Sequence, residues 1–204
     1  MKLRRLLPLL LLTGLTGAVT GLYVAHMLTQ RNITLQGGTW LPEPRRLEPF
    51  QLTDTAGRPF ANESQRGHPA LLYFGFSSCP DACPATLAML REVQQRAPLA
   101  GLQVLFVTVD PDRDTPEVLR EYLAAFSPDF IGLRAAPDAL AALLRDLNAY
   151  AGRQDLPGGQ YRYDHSSTLY LLDTRARLIA VFTPPYTAAA MDADLRSLAR
   201  AAAL

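Results

Sequence analysis

Cysteine is almost absent from this chain, with only Cys79 and Cys83 among 204 residues. So few thiols exclude a disulfide-built scaffold and any zinc site made of four cysteines. Histidine is scarce as well, at three residues. No acidic residue precedes Glu43, and the body of the chain holds no run of lysine or arginine. Four of the 20 basic residues lie before position 32, which leaves 16 arginines against 19 acids and a net charge of −3 on the rest. A weakly acidic body without a basic cluster argues against nucleic acid as a partner. Internal repeats and low-complexity stretches are missing too. What is present is ordinary for a folded protein, with 49% hydrophobic and 19% charged residues. The length suits one domain of about 150–170 residues plus a targeting segment, large enough to bury roughly two thirds of its unfolded surface.

Lys2, Arg4 and Arg5 precede an uncharged run from Leu6 to Gln30, whose apolar part ends at Leu28. As a helix those residues would span about 35 Å, against roughly 30 Å of bilayer hydrocarbon. A cleaved signal peptide carries an apolar region of only about 7–15 residues. The expectation is therefore an uncleaved signal anchor over residues 1–30, a single transmembrane helix. Cleavage after Ala18 is the alternative. The absence of cysteine nearby excludes a lipoprotein anchor. The compact positive charges before the span place the amino terminus in the cytoplasm and the soluble domain in the periplasm, held at the inner membrane. His26 falls within this span.

Residues 31–47, with Gly37, Gly38, Pro42 and Pro44, read as a tether, and residues 48–204 as one domain. Phe50–Asp54 alternates apolar and polar residues as a half-buried strand does, and Asp54–Arg58 turns it into a short return strand. Pro69–Phe76 and Leu102–Val109 are continuous apolar runs of the kind found in buried parallel strands. Ile131–Ala135 is a shorter strand. Helical patterns cover 84–97, 115–126, 137–150 and 188–203, with Thr115 as N-cap and Pro116 as first helical residue of the second. Thr168–Leu172 and Leu178–Phe182 form an antiparallel pair around Asp173–Arg177. The order βαβαβα followed by ββα gives a parallel core with an antiparallel edge and helices on both faces, an arrangement that thioredoxin-like folds fit.

Chemistry concentrates in Ser77-Ser-Cys79-Pro-Asp-Ala-Cys83-Pro84, directly after the first core strand. Ligand and redox sites of open α/β sheets lie at such strand ends. Pro84 disfavours helical geometry at Cys83, so both thiols are expected in a loop facing a helix N-terminus, which lowers thiol pKa. Three readings are open. A structural disulfide would close a tiny loop and stabilise little. A redox pair would have three intervening residues where dithiol oxidoreductases usually have two. A metal site of two thiolates needs further ligands: zinc wants four, or three plus water, whereas soft Cu(I) is satisfied by two thiolates and one imidazole. His68 lies at the amino end of the first core strand, the wrong end of the sheet. His165, in Tyr161-Arg-Tyr-Asp-His165, lies in the loop that approaches the redox loop of a thioredoxin-like fold.

These residues resemble the Sco/SenC proteins, membrane-anchored copper chaperones of cytochrome c oxidase assembly. The resemblance covers about residues 38–200 and is carried by Gly38-Thr-Trp-Leu-Pro-Glu-Pro, Phe74-Gly-Phe-Ser-Ser-Cys-Pro-Asp-Ala-Cys-Pro, Val109-Asp-Pro-Asp-Arg-Asp-Thr-Pro116 and Tyr163-Asp-His165-Ser. It implies that Cys79, Cys83 and His165 bind copper, as Cu(I) and Cu(II). It also implies a client, the binuclear copper site of oxidase subunit II. Upkeep of the pair by a periplasmic thiol reductase follows, since a Cys79–Cys83 disulfide could not bind the ion. Asp164 and Asp110 are candidates for orienting the site from outside the donor set, and Asp110, Arg113 and Asp114 also suit a turn and helix cap. The rival function is a thiol–disulfide oxidoreductase acting on client cysteines. A metallochaperone would not be an enzyme, and the residues do not separate the two.

Overall fold

The computed structural model describes residues 19–21, 33–96, 99 and 101–201. Contacts divide the chain into Met1–Asn32 and Ile33–Leu204. Apart from the helical residues 19–21, the anchor expected over 1–30 lies outside the described residues, as does His26. Among the described residues no helix is long and apolar enough to cross a membrane.

The second unit is built on an eight-stranded sheet. Its centre is β4 (Ala70–Gly75), buried at all six positions. It pairs in parallel with β5 (Gln103–Thr108), and β5 pairs in parallel with β6 (Ile131–Arg134). On its other side β4 meets β9 (Leu169–Leu172) antiparallel, and β9 meets β10 (Arg177–Phe182), as the sequence predicts. The hairpin of β2 (Gln51–Asp54) and β3 (Pro59–Ala61) extends the far edge beyond β6, and β1 (Gly38–Arg46) lies outside β10, giving the order β1-β10-β9-β4-β5-β6-β2-β3. Among the described residues five α-helices complete the unit: α1 (Asn62–Gln65), α2 (Ala82–Arg96), α3 (Pro116–Ala124), α4 (Pro137–Asp146) and α5 (Ala188–Arg200).

Side chains alternate along β4, so its two faces feed two cores. Leu71 and Tyr73 pack with Leu87 and Leu90 of α2, Leu119 of α3 and Leu195 of α5. Leu72 and Phe74 pack with Leu140 and Leu143 of α4 and with Phe60. Helix α3 starts as its sequence specifies: the Thr115 side chain accepts the N–H of Val118 and Pro116 follows.

Two segments differ from expectation. Gly38–Arg46, read as part of a tether, is strand β1 at the sheet edge, paired antiparallel to β10. Its prolines sit where the register shifts, between Trp40 and Arg45. Edge strands and bulges tolerate residues without an N–H, so Pro42 and Pro44 mark a bulge and not an end. Tyr161–His165, read as a loop, is strand β8; it pairs with β7 (Ala151–Asp155) in a separate two-stranded sheet.

The β2–β3 and β9–β10 turns use one device, Asp-Thr-x-x-Arg. Asp54 accepts the N–H groups of Ala56 and Arg58 and the Arg58 guanidinium; Asp173 does the same with Arg175 and Arg177. Burial alone would raise the Asp54 carboxyl, but hydrogen bonds from Arg58 and Ala56 and the Arg58 charge outweigh it and hold the group below its usual 3.8. The unfolded chain therefore takes up this proton first as pH falls. The stabilisation is complete above the unfolded pKa of about 4 and is lost as pH drops through the folded value. Urea denaturation from pH 6 to pH 3 should show wild type losing stability faster than Asp54→Asn. Parallel declines would contradict the assignment.

Candidate metal centre

The carboxyl end of β4 delivers the chain into Ser77–Asp81 and then into α2. Cys79 is half-buried in this loop, its N–H donated to the Phe76 carbonyl at 3.2 Å. Cys83 is fully buried and lies inside the first turn of α2, which begins at Ala82 and not at Pro84. The first turn of a helix has no acceptor for its N–H groups, so proline is tolerated there and Pro84 does not delay the helix. The Cys83 N–H points to Cys79 Sγ at 3.5 Å. Both cysteines are free thiols. The expected low thiol pKa does not hold at Cys83: burial pushes it up to about 12, overriding the helix N-terminus. An arriving cation supplies the charge that burial denies, so coordination and thiol deprotonation occur together.

His165 comes from β8. Its Nδ1 lies 3.1 Å from the Ser166 carbonyl, which can only accept, so Nδ1 carries the proton and the Nε2 lone pair is free. Nε2 sits 3.4 Å from Cys83 Sγ. Burial lowers the imidazole pKa, which favours the neutral, ligating form. Tyr73 and Phe76 frame the ring edge-on, at centroid distances of 6.0 and 5.7 Å. The donor atoms of Cys79, Cys83 and His165 all lie within 4.8 Å of one another. Donors about 2.0–2.3 Å from a shared ion are at most about 4.6 Å apart, so the trio closes on one ion with small adjustment. Two sulfurs and one imidazole suit a soft cation, and among the described residues no fourth ligand joins them.

A profile of the SCO1/SenC family matches residues 41–200. The chain belongs to the SCO1/SenC family. Relatives include the mitochondrial protein SCO2 of Saccharomyces cerevisiae, 40% identical over 137 residues that cover 64% of this chain and 45% of that protein. A SCO2-like protein of Rickettsia prowazekii is 38% identical over 138 residues, 66% of this chain and 67% of its own. This chain thus spans under half the length of the yeast relative. Among solved structures, Bradyrhizobium japonicum ScoI with copper bound shares 35% identity at a TM-score of 0.67, covering 74% of this chain and 98% of that one. Apo Sco1 of Thermus thermophilus shares 32% at 0.72, covering 82% and 98%. The fold is the α/β thioredoxin-like fold of the Sco proteins.

Around this SCO1/SenC site, several side chains act through others. Asp164 does not bond His165. It accepts from Gln154 on β7 and lies 3.8 Å from Arg162, so only its charge reaches the imidazole. Asp110 is buried and touches no donor residue. It accepts the Tyr161 hydroxyl at 3.0 Å, while Arg113 donates to the Tyr161 carbonyl at 2.8 Å and stacks on its ring. Burial raises the Asp110 carboxyl, with Tyr161 and Arg113 pulling the other way. These residues fasten the hairpin that carries His165. Tyr163 packs on Phe76, beside the imidazole. His68 is exposed before β4, away from the site.

Two contributors escape sequence reasoning. Asp114 is fully buried and accepts from the Ser77 N–H, the Ser77 hydroxyl and the Thr108 hydroxyl, stapling the cysteine loop to the end of β5. Tyr186, in the otherwise unassigned Thr183-Pro-Pro-Tyr186, donates to the Ser167 carbonyl at 2.9 Å and lies 3.1 Å from the Thr86 hydroxyl. It ties the segment after His165 to the cysteine helix. An aspartate beside a helix start reads as a cap from sequence alone, and nothing near Tyr186 signals a long-range contact.

Proposed function

We propose that this protein is a membrane-tethered copper metallochaperone. Copper is its cargo, held by Cys79, Cys83 and His165 and passed to the binuclear copper site of cytochrome c oxidase subunit II. The observation that carries this reading is the convergence of two thiols and a lone-pair-bearing imidazole within 4.8 Å. Relatives described as copper-binding or solved with copper bound support the choice of metal. The uncharged run from Leu6 to Gln30 supports a tether at the inner membrane with the domain in the periplasm. A tether raises the local concentration of a carrier near a membrane-bound client. Transfer of Cu(I) needs no electron. Each incoming client thiol gives up a proton as it replaces a donor, and each departing thiolate here takes one up.

The half-buried Cys79 next to the buried Cys83 favours a second reading, a thiol–disulfide oxidoreductase. Cys79 thiolate would attack a client disulfide and release one client thiol. Cys83 would then resolve the mixed disulfide, leaving the client a dithiol and this pair oxidised, to be reduced again by a thiol reductase. His165 separates the readings. Reduced, anaerobic protein titrated with Cu(I) against a competing chelator should bind one copper. Cys79→Ser or His165→Ala should weaken it beyond the roughly 10–100-fold typical of changes outside the donor set. Equal affinity in His165→Ala, with a pair that still cycles with thiol partners, would favour the oxidoreductase.

A further inference from the structure

The end of the sheet opposite the metal centre holds a concentration of positive charge that the linear sequence conceals. Arg46 ends β1, Arg66 follows α1, and Arg175 and Arg177 belong to the β9–β10 turn; all four line one cavity of about 430 Å³. Arg177 is committed to Asp173, with its Nε 2.7 Å from the carboxylate. The guanidinium groups of Arg46, Arg66 and Arg175 have no partner among the described residues. The lining holds four arginines and one acid, Glu63, and with Asp173 just outside it neutralising Arg177 the cavity keeps a net charge of +2. That charge stands on a body whose overall balance is −3.

The register makes this arrangement costly when nothing else is bound. Arg46 and Arg177 are direct cross-strand partners in the β1–β10 ladder. Like charges placed directly opposite destabilise an antiparallel pair. Arg66 is drawn in by its neighbour, the Gly67 N–H donating to the Thr174 carbonyl at 2.8 Å. The end of β1, the segment after α1 and the β9–β10 turn thus converge on one cavity, each bringing a planar fork of donors suited to phosphate oxygens. The six residues of β4 separate this cavity from the cysteine loop, about 20 Å at the rise of a strand.

We infer that this cavity is an anion site for a phosphate-bearing ligand of two or more negative charges, held by Arg46, Arg66 and Arg175. Two sources share this chemistry, a free small molecule and a lipid headgroup, and the test distinguishes them. The probes are inorganic pyrophosphate and the soluble lipid dihexanoylphosphatidic acid, whose phosphomonoester headgroup carries up to two negative charges. Each is titrated calorimetrically at low ionic strength into the full chain in nonionic detergent, alongside an Arg66→Gln, Arg175→Gln double variant. Both substitutions are at exposed positions without side-chain partners and remove like charges from a crowded cluster, so the urea midpoint should not fall. The expected result is one saturable site, weakened at least tenfold in the double variant and strongly by added salt. Tighter binding of pyrophosphate assigns a free phosphate ligand. Tighter, competing binding of the lipid assigns a headgroup. Binding of neither probe, or equal binding by both proteins, overturns the inference.

Discussion

Replacing Gly75 by alanine is expected to dismantle the metal centre while leaving Cys79, Cys83 and His165 in place. A Cβ built on Gly75 would lie 2.8 Å from Cys83 Sγ and 2.8 Å from two ring atoms of Phe106. Phe106 cannot retreat, because it is fully buried between Tyr73 and Tyr122, whose rings stand 5.9 and 6.1 Å away. The sulfur is the neighbour left to move, and it is the donor 3.4 Å from His165 Nε2. Overpacking a closed core costs about 1–3 kcal/mol, and here the displacement falls on the donor set. Copper competition and urea denaturation on Gly75→Ala should show both losses, with the affinity falling at least about tenfold. Stability loss with wild-type affinity would mean that Phe106 or the strand yields and that the sulfur does not hold the position assigned to it.

The second large effect is expected at Asp114. Substitution by alanine strands the Ser77 N–H and the hydroxyls of Ser77 and Thr108, all of which it accepts. Hydrogen bonds to charged groups are worth roughly 1.5–3 kcal/mol each, and the three share one buried carboxylate, so a loss of about 3–4 kcal/mol is expected. Asparagine keeps the shape and one acceptor oxygen and should cost less. The Ser77 amide reports the mechanism directly: its hydrogen exchange should accelerate in Asp114→Ala more than that of Leu72 in β4. Exchange that rises equally at both positions would indicate global destabilisation without a specific role in holding the cysteine loop.

Most of the sheet is legible in the sequence for a plain reason. The strands β4, β5, β9 and β10 are buried, and burial writes itself as unbroken apolar runs. The helices α3 and α4 likewise start at the prolines that mark them, although α4 ends at Asp146, short of the expected Tyr150. The hairpin bearing His165 is hidden because Ala-Gly-Arg-Gln-Asp over β7 offers no apolar alternation; its pairing is held by backbone and by polar side chains. β1 is hidden by prolines that belong to a bulge. At the site, the resemblance to the Sco/SenC proteins implies Cys79, Cys83 and His165, and the structure brings their donor atoms within 4.8 Å of one another. The supports do not show, since Asp114 and Ser77 are 37 residues apart and Tyr186 and Thr86 are 100 apart. The burial of Cys83 is likewise a property of the packed helix and not of its immediate neighbours.

The two sulfurs ride on the eight-stranded sheet and its first long helix, whereas the imidazole rides on a separate two-stranded one. The donor set is therefore a clasp between two mechanical parts. It is complete only while the hairpin is seated on Phe76 and moored at Asp110 and Arg113 through Tyr161. Lifting the hairpin would turn a three-donor site into a two-donor one without disturbing either sulfur. How firmly such a site would grip an ion thus depends partly on aromatic packing and a tyrosine hydroxyl remote from the sulfurs. A surface that leans on the hairpin could loosen the grip before any thiol is exchanged.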